Sequence, residues 1–317
     1  MEKSKHELPV IFLMGPTATG KTGLAVELHK RFPMDIISVD SAMVYRGMDI
    51  GTAKPNAETL SLAPHRLIDI CDPVESYSAA RFCQDAIQEI NNIHATGRIP
   101  LLVGGTGLYF RSLEKGLSEL PEADTEIRLQ LESEAKKHGW KYMHDRLVEV
   151  DPETAGRIHP NDPQRIQRAL EVYEITGIPM SKHFLSGQVP LLDAEVIKIV
   201  VAPGERYELH KKIALRFHQM LTDGLIDEVK RLHSRGDLHH GLPSMRMVGY
   251  RQVWQYLDGA LDHQQMIDHA IVATRQLAKR QMTWLRKEEN SRWFVSEEDD
   301  FLYNLLNYID NYAEKIS

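Results

Sequence analysis

Residues Gly15-Pro16-Thr17-Ala18-Thr19-Gly20-Lys21-Thr22 make a complete Gly-x-x-x-x-Gly-Lys-Thr phosphate loop, set between the apolar run 10–14 and an amphipathic segment opening at Thr22. The glycines let backbone N–H groups converge on phosphate oxygens. Lys21 brings a point charge, Thr22 offers a hydroxyl to Mg2+, and the following helix turns its positive end to the ligand. A diphosphate or triphosphate is the expected ligand; the loop alone does not say which compound carries it.

Other chemistry-bearing residues fall where a parallel sheet would bring them to the same place. Asp40, in Ser38-Val39-Asp40-Ser41-Ala42-Met43, ends a second apolar run. It is placed either to hold Mg2+ or accept a proton, or simply to cap the next turn. The turn-rich stretch 47–55 has few ways to bury itself and reads as a binding loop. A third run ends in Gly104-Gly105-Thr106-Gly107, where backbone can approach a ligand and Thr106 offers a hydroxyl and an N–H beside the phosphates. Arg216 adjoins the stripe Leu209, Ile213, Phe217, Met220 and Leu221, placed either to reach the phosphates or to lie along the surface.

The elements that must position these groups can be read from periodicity. Runs 10–14, 36–39, 101–103 and 196–201 are short, uninterrupted and rich in branched residues, as buried parallel strands are. Helical patterns separate them, one opened by Ser78 and closed by Gly97. The expected fold is α/β, a P-loop NTPase-like parallel sheet with ligands at the carboxyl ends of its strands. Between 115 and 190 the strand signal gives way to charged helical patterns, the clearest capped at Asp162-Pro163 and stopped at Gly177. The expected organisation is a core of 1–114 plus 191–317, mostly helical after Arg206, interrupted by a helical insertion at 115–190.

Composition sets the class. The 317 residues are 42% hydrophobic and 26% charged, with formal net charge −7, which argues against coating nucleic acid by bulk charge but permits a local basic groove. No stretch approaches a membrane span, and residues 1–7 lack the apolar core of a signal peptide, so a cytoplasmic protein without membrane partners is expected. The two cysteines, Cys71 and Cys83, suggest neither a disulfide framework nor a zinc site. Three basic stretches remain: Gln164-Arg165-Ile166-Gln167-Arg168, Arg246-Met247-Val248-Gly249-Tyr250-Arg251, and Arg275, Lys279 and Arg286 at helical spacing. Each by itself suits a solvated helix face. Together, interleaved with Tyr250 and Trp284, they suit the phosphates and stacked bases of a single-stranded RNA loop.

Taken jointly, the phosphate loop, the segment from Ser38 through Tyr45 to Pro55, the Pro-His-Arg-Leu-Ile-Asp at 64–69, the Val103-Gly104-Gly105-Thr106-Gly107-Leu108-Tyr109 turn and Arg246-Met247-Val248-Gly249-Tyr250-Arg251-Gln252 resemble the bacterial tRNA dimethylallyltransferase family. The resemblance runs to about Arg286. It implies transfer of a dimethylallyl group from dimethylallyl diphosphate to the exocyclic amine of adenosine 37, in tRNAs reading codons that begin with U. It also implies that the phosphate loop holds the prenyl donor, that Asp40 is the general base, and that Thr106 bridges to the leaving diphosphate. Lys21 and Arg216 would neutralise that group, with Mg2+ held through Thr22. The anticodon stem-loop would be met by Asp40, Ser41, Ala42, Met43 and Thr106; by Arg128 with Gln164, Arg165, Ile166, Gln167 and Arg168 of the insertion; and by residues 246–251 with Lys279, Arg280 and Arg286. A monomer is expected. The competing readings are a small-molecule or nucleotide kinase, which would bind ATP at the same loop and close an arginine-rich lid over it, and a regulatory nucleotide-binding switch, which would leave Asp40 and Thr106 idle.

Overall fold

The computed structural model describes residues 8–118, 120–185 and 190–316; residues 1–7, read above as lacking a signal-type core, lie outside them. The chain divides into two compact units, one of Met1–Glu114 with Leu191–Ser317 and one of Lys115–Pro190.

In the first unit, the chain runs through β1 (Val10–Met14), α1 (Lys21–Arg31), β2 (Met34–Val39), α2 (Ala57–Leu62), β3 (His65–Arg66), α3 (Ala79–Ala95), β4 (Ile99–Gly104) and α4 (Gly107–Lys115). The second unit holds α5 (Thr125–His138), α6 (Trp140–Val150), α7 (Pro152–Ala155), α8 (Pro163–Thr176) and α9 (Met180–Leu185). The first unit then resumes with β5 (Val196–Ala202), α10 (Arg206–Thr222), α11 (Leu225–His233), α12 (Tyr250–Leu257), α13 (His263–Leu285), β6 (Ser291–Val295) and α14 (Phe301–Ile316).

The six strands pair only in parallel, in the order β3-β2-β4-β1-β5-β6. Every residue of β1 is buried, because alternate side chains enter two different cores. Ile11 and Leu13 join Leu24 and Leu28 of α1 and Leu305 and Ile309 of α14 on one face. Phe12 points the other way and packs on Phe110 of α4, ring centroids 4.9 Å apart. Each such fully buried side chain contributes on the order of 1.5–3 kcal/mol.

The four expected strands are present, each extended by a residue or more except β1. Two further strands lacked a sequence signal. β3 is two residues long, and β6 is an edge strand whose Arg292 and Trp293 are exposed, so neither shows a continuous apolar run. The helix expected at Asp162 is α8: the Asp162 side chain accepts from Arg165 N–H, Pro163 follows, and Gly177 closes it in the left-handed region. Among the described residues, no helix is long and apolar enough to cross a membrane.

Candidate active site

The phosphate loop leaves β1 at its carboxyl end. A Cβ on Gly15 would lie 2.2 Å from the Val201 carbonyl oxygen, so only glycine lets the loop turn off between β1 and β5. Ala18 and Gly20 take positive φ, 65° and 79°, and α1 begins at Lys21. Thr19 Oγ1 and Lys21 Nζ donate to the Pro16 carbonyl at 2.9 and 2.6 Å. Burial pushes the Lys21 ammonium down to about 7; Asp40 opposes this and Arg216 adds to it. Burial likewise lowers Arg216, again against Asp40. The two cations therefore crowd one desolvated place, which favours an anion between them.

Asp40 and Thr106 meet at the neighbouring strand ends. Asp40 Oδ1 accepts from Ala42 N–H at 2.8 Å, and Thr106 Oγ1 accepts from Ser41 N–H at 3.1 Å. The turn that caps Asp40 thus also aims its carboxylate, whose second oxygen is not used in that bond. A Cβ on Gly104 would lie 2.0 Å from the Val39 carbonyl oxygen, so this glycine permits the close approach of β4 to β2 that sets Thr106 beside Asp40.

Gln281 of α13, a residue the sequence reading did not single out, joins the two strand-end turns. Its Oε1 accepts from Thr17 N–H at 2.9 Å while its Nε2 donates to the Gly105 carbonyl at 3.0 Å.

Two cavities share Asp40, Arg216 and Gln281 as walls. One, of 350 Å3, is lined by the phosphate loop from Thr17 to Thr22. The other, of 440 Å3, is lined by Ile213, Phe217, Met220, Val248 and Trp284 along with Arg246 and Arg280. An anion cradle thus opens onto an apolar chamber, with a carboxylate and a hydroxyl at the junction.

The loop 47–55, expected to bind, lines both cavities through Thr52. It is held from beneath by Glu228, which is 2% exposed. Glu228 accepts from the backbone N–H groups of Asp49, Ile50 and Gly51 at 3.0, 2.8 and 3.1 Å, and from the Tyr250 hydroxyl at 2.5 Å. Its signal in sequence was an acid on the apolar stripe Leu225, Val229 and Leu232 of α11. Tyr250 is therefore a core residue, 0% exposed, and its ring is not available for stacking on a base; burial and Glu228 raise its hydroxyl well above the usual phenol range. Arg246 and Arg251 are exposed around it, and Trp284, not Tyr250, faces the chamber. Lys279 and Arg280 are exposed on α13, as is Arg286, the residue that follows its last turn.

In the second unit, the predicted residues separate by their surroundings. Gln164 and Arg165 are exposed. Ile166 is 0% exposed in the core with Leu131, Met143 and Leu170, so its side chain cannot touch a ligand. Gln167 donates to the Arg128 carbonyl, and Arg128 and Arg168 both pair with Glu171, whose side chain is fully buried. Arg168 is thus a packed clamp and not, as its spacing from Gln164 suggested, an open helix face.

Among the described residues, no three His, Cys, Asp or Glu side chains gather as a metal site. The donors present, the Thr22 hydroxyl beside a phosphate cradle, fit Mg2+ carried mainly on substrate oxygens and water rather than in a protein cage. Cys71 and Cys83 are free and buried, and burial pushes the Cys83 thiol up to about 12.

The IPP transferase family model matches residues 43–288. A tRNA dimethylallyltransferase of Alkalilimnicola ehrlichii is 61% identical over 291 residues, 92% of each chain. One of Coxiella burnetii is 53% identical over 300 residues, 95% of this chain and 96% of its own. Among solved structures, the tRNA isopentenylpyrophosphate transferase of Bacillus halodurans matches with a TM-score of 0.70 at 39% identity over 97% of both chains. A eukaryotic dimethylallyltransferase described as acting on tRNA gives 0.80 at 26% identity, over 96% of this chain and 79% of its own.

Proposed function

The chain belongs to the IPP transferase family, and from that premise we propose that it is a tRNA dimethylallyltransferase, moving the dimethylallyl group of dimethylallyl diphosphate to the exocyclic amine of adenosine 37 in tRNAs that read codons beginning with U. The observation that carries this reading is the junction itself: an anion cradle and an apolar chamber that share Asp40, with Thr106 beside it.

An allylic diphosphate ionises through a carbocation-like transition state, so positive charge must await the leaving group and a carboxylate must await the nucleophile. Lys21 and Arg216 supply the first and Asp40 the second. The amine nitrogen bonds to the allylic carbon as that carbon's bond to the diphosphate oxygen breaks; the amine proton passes to Asp40, and diphosphate leaves with the bonding pair. Thr106 Oγ1, held at Ser41 N–H, is placed to donate its proton toward the departing oxygens. Bound through Thr22 and the diphosphate, Mg2+ would add neutralising charge to the leaving group. The phosphate loop residues Gly15, Pro16, Thr17, Ala18, Thr19 and Gly20 orient the donor head, while the apolar chamber shelters the cation from water. The adenine must leave its stack to arrive there. Exposed Gln164 and Arg165, and Arg246, Arg251, Lys279, Arg280 and Arg286, are the side chains open to RNA backbone.

The kinase reading needs a lid of free arginines. Three of the five arginines of the insertion, Arg128, Arg146 and Arg168, are instead held in ion pairs within it. The deciding assay supplies unmodified tRNA and labelled dimethylallyl diphosphate with Mg2+ and no ATP. Label should enter the anticodon loop; transfer only when ATP is added would sink the proposal.

A further inference from the structure

We infer that a second phosphate-binding site lies on the far side of α13 from the reaction chamber, where Arg206, Arg275 and Lys279 surround a cavity of 410 Å3. Along α13, Thr274, Leu277, Gln281 and Trp284 line the chamber, whereas Arg275, Lys279, Met282 and Arg286 line this cavity. At about 100° per residue these sets occupy opposite helix faces. No lining residue is common to this cavity and either cavity of the reaction site.

The remaining wall is Pro203 and Gly204, which follow β5, and the first turn of α10. The site therefore sits, like the phosphate loop, at a strand's carboxyl end against a helix start, where partial positive charge gathers. Its cations lack the acidic partners that hold the arginines of the helical unit. Among the described residues, Arg206, Arg275, Lys279 and Arg286 make no ion pair, and Arg206 Nε donates only to His210 Nε2, at 3.4 Å. Arg275 Nε is buried with no hydrogen-bond partner, a costly state for a charged donor. The one acid of the lining, Glu205, is paired with none of them. Desolvation, Arg275 and Arg206 together hold the His210 imidazole below its usual range.

Uncompensated cations around a concave site call for an anion, and paired guanidinium forks suit phosphate oxygens. The lining has no Phe, Tyr or Trp on which a base would stack. What is recognised is thus the phosphate group, borne either by an RNA backbone or by a free phosphate compound. Lys279 and Arg286 are also among the side chains proposed to meet RNA, so the RNA alternative rests on that reading; Arg206 and Arg275 have no part in it, and failure of a site at these two arginines leaves the assignment of prenyl transfer standing.

Inorganic diphosphate is titrated calorimetrically into the full-length Lys21→Ala protein, which weakens the phosphate-loop site, and into the same protein carrying Arg206→Ala and Arg275→Ala. In parallel, anticodon stem-loop affinity is measured across a salt series with and without that pair of substitutions. Loss of a diphosphate site at least tenfold weaker in the triple variant, with the His210 NMR signals titrating to higher pH on diphosphate binding only while Arg206 and Arg275 are present, identifies a free phosphate compound. A salt slope lower by about one to two units identifies backbone phosphate. If neither diphosphate binding nor the slope changes, the site does not exist. Arg206→Ala alone, at an exposed position, decides the same question should Arg275→Ala impair folding.

Discussion

The arginines of the helical unit and those that line the cavities of the sheet-bearing unit play opposite parts, although Arg66, Arg98 and Arg235 of the latter unit are ion-paired too. In the helical unit arginine is mortar: Arg146 bridges Glu134 and Glu174, and Arg128 and Arg168 close on one fully buried carboxylate, Glu171. In the sheet-bearing unit, Arg216, Arg246, Arg275 and Arg280 line cavities without an acidic partner among the described residues. Charge that is neutralised within the fold stabilises the fold. Charge left unneutralised beside a cavity is held for a ligand, and the protein bears its desolvation until that ligand arrives.

The sharpest test of this contrast is at Asp40, the carboxylate that acts on both Lys21 and Arg216. Asp40→Asn should lower single-turnover prenyl transfer by about 10²-fold to 10⁴-fold while leaving stem-loop affinity unchanged; near-normal turnover would remove Asp40 from proton transfer. On the mortar side, Arg128→Ala with Arg168→Ala strands Glu171, and urea unfolding should show a loss of about 3–5 kcal/mol. Arg246→Ala, by contrast, should stay within about 0.5 kcal/mol of wild type. Equal losses would erase the distinction between the two kinds of arginine.

Glu228 belongs to both categories, an acid that supports a cavity wall. Glu228→Gln turns an amide NH2 toward two donors, either the Asp49 and Ile50 N–H groups or the Gly51 N–H and Tyr250 hydroxyl, and should cost about 1–3 kcal/mol of stability. It should also lower donor kcat/KM through misplacement of Thr52, whereas Glu228→Ala, if it behaves identically in kinetics, would reduce the residue to a packing role. Lys21 gives a pH signature. Its ammonium is pushed down to about 7, and a bound diphosphate favours the charged form. Donor binding therefore takes up a proton above pH 7, so affinity should be highest below 7 and weaken by up to roughly tenfold per unit above it. Lys21→Arg should flatten that profile, measured as Kd against pH. The smallest effect belongs to Arg165, whose side chain is 72% exposed and only 3.4 Å from Asp162. Arg165→Ala should lower the stem-loop salt slope by about one unit with no change in donor binding.

That the phosphate loop, Asp40 and Thr106 gather at one place was legible because these groups lie next to local signals. The phosphate loop, Asp40 and Thr106 each follow an apolar run, and a parallel sheet gathers such ends of itself. Gln281 and Glu228 were harder to see because they act across long stretches of chain, from helices whose patterns announce only a buried face, whereas Trp284 was picked out as an aromatic among cations. Of these, Glu228 did leave a mark, an acid within an apolar stripe. Tyr250 misled in the opposite sense: cations on either side suggested a stacking platform, but its hydroxyl pairs with that same buried acid. The edge strand β6 had no readable pattern because only Phe294 of its five residues is buried.

Gln281 bears on how the two substrates know of one another. Its amide holds the donor's loop at Thr17 with one atom and the acceptor's turn at Gly105 with another. A glutamate there would oppose its lone pairs to the Gly105 carbonyl, so only the amide serves both ends. Any shift that the prenyl donor imposes on Thr17 reaches the Thr106 turn through a single rigid group, and thermodynamics makes the message two-way. By whatever factor bound donor alters the grip on RNA, bound RNA must alter the grip on donor by the same factor, so that order of arrival cannot matter to the affinity of the final ternary complex.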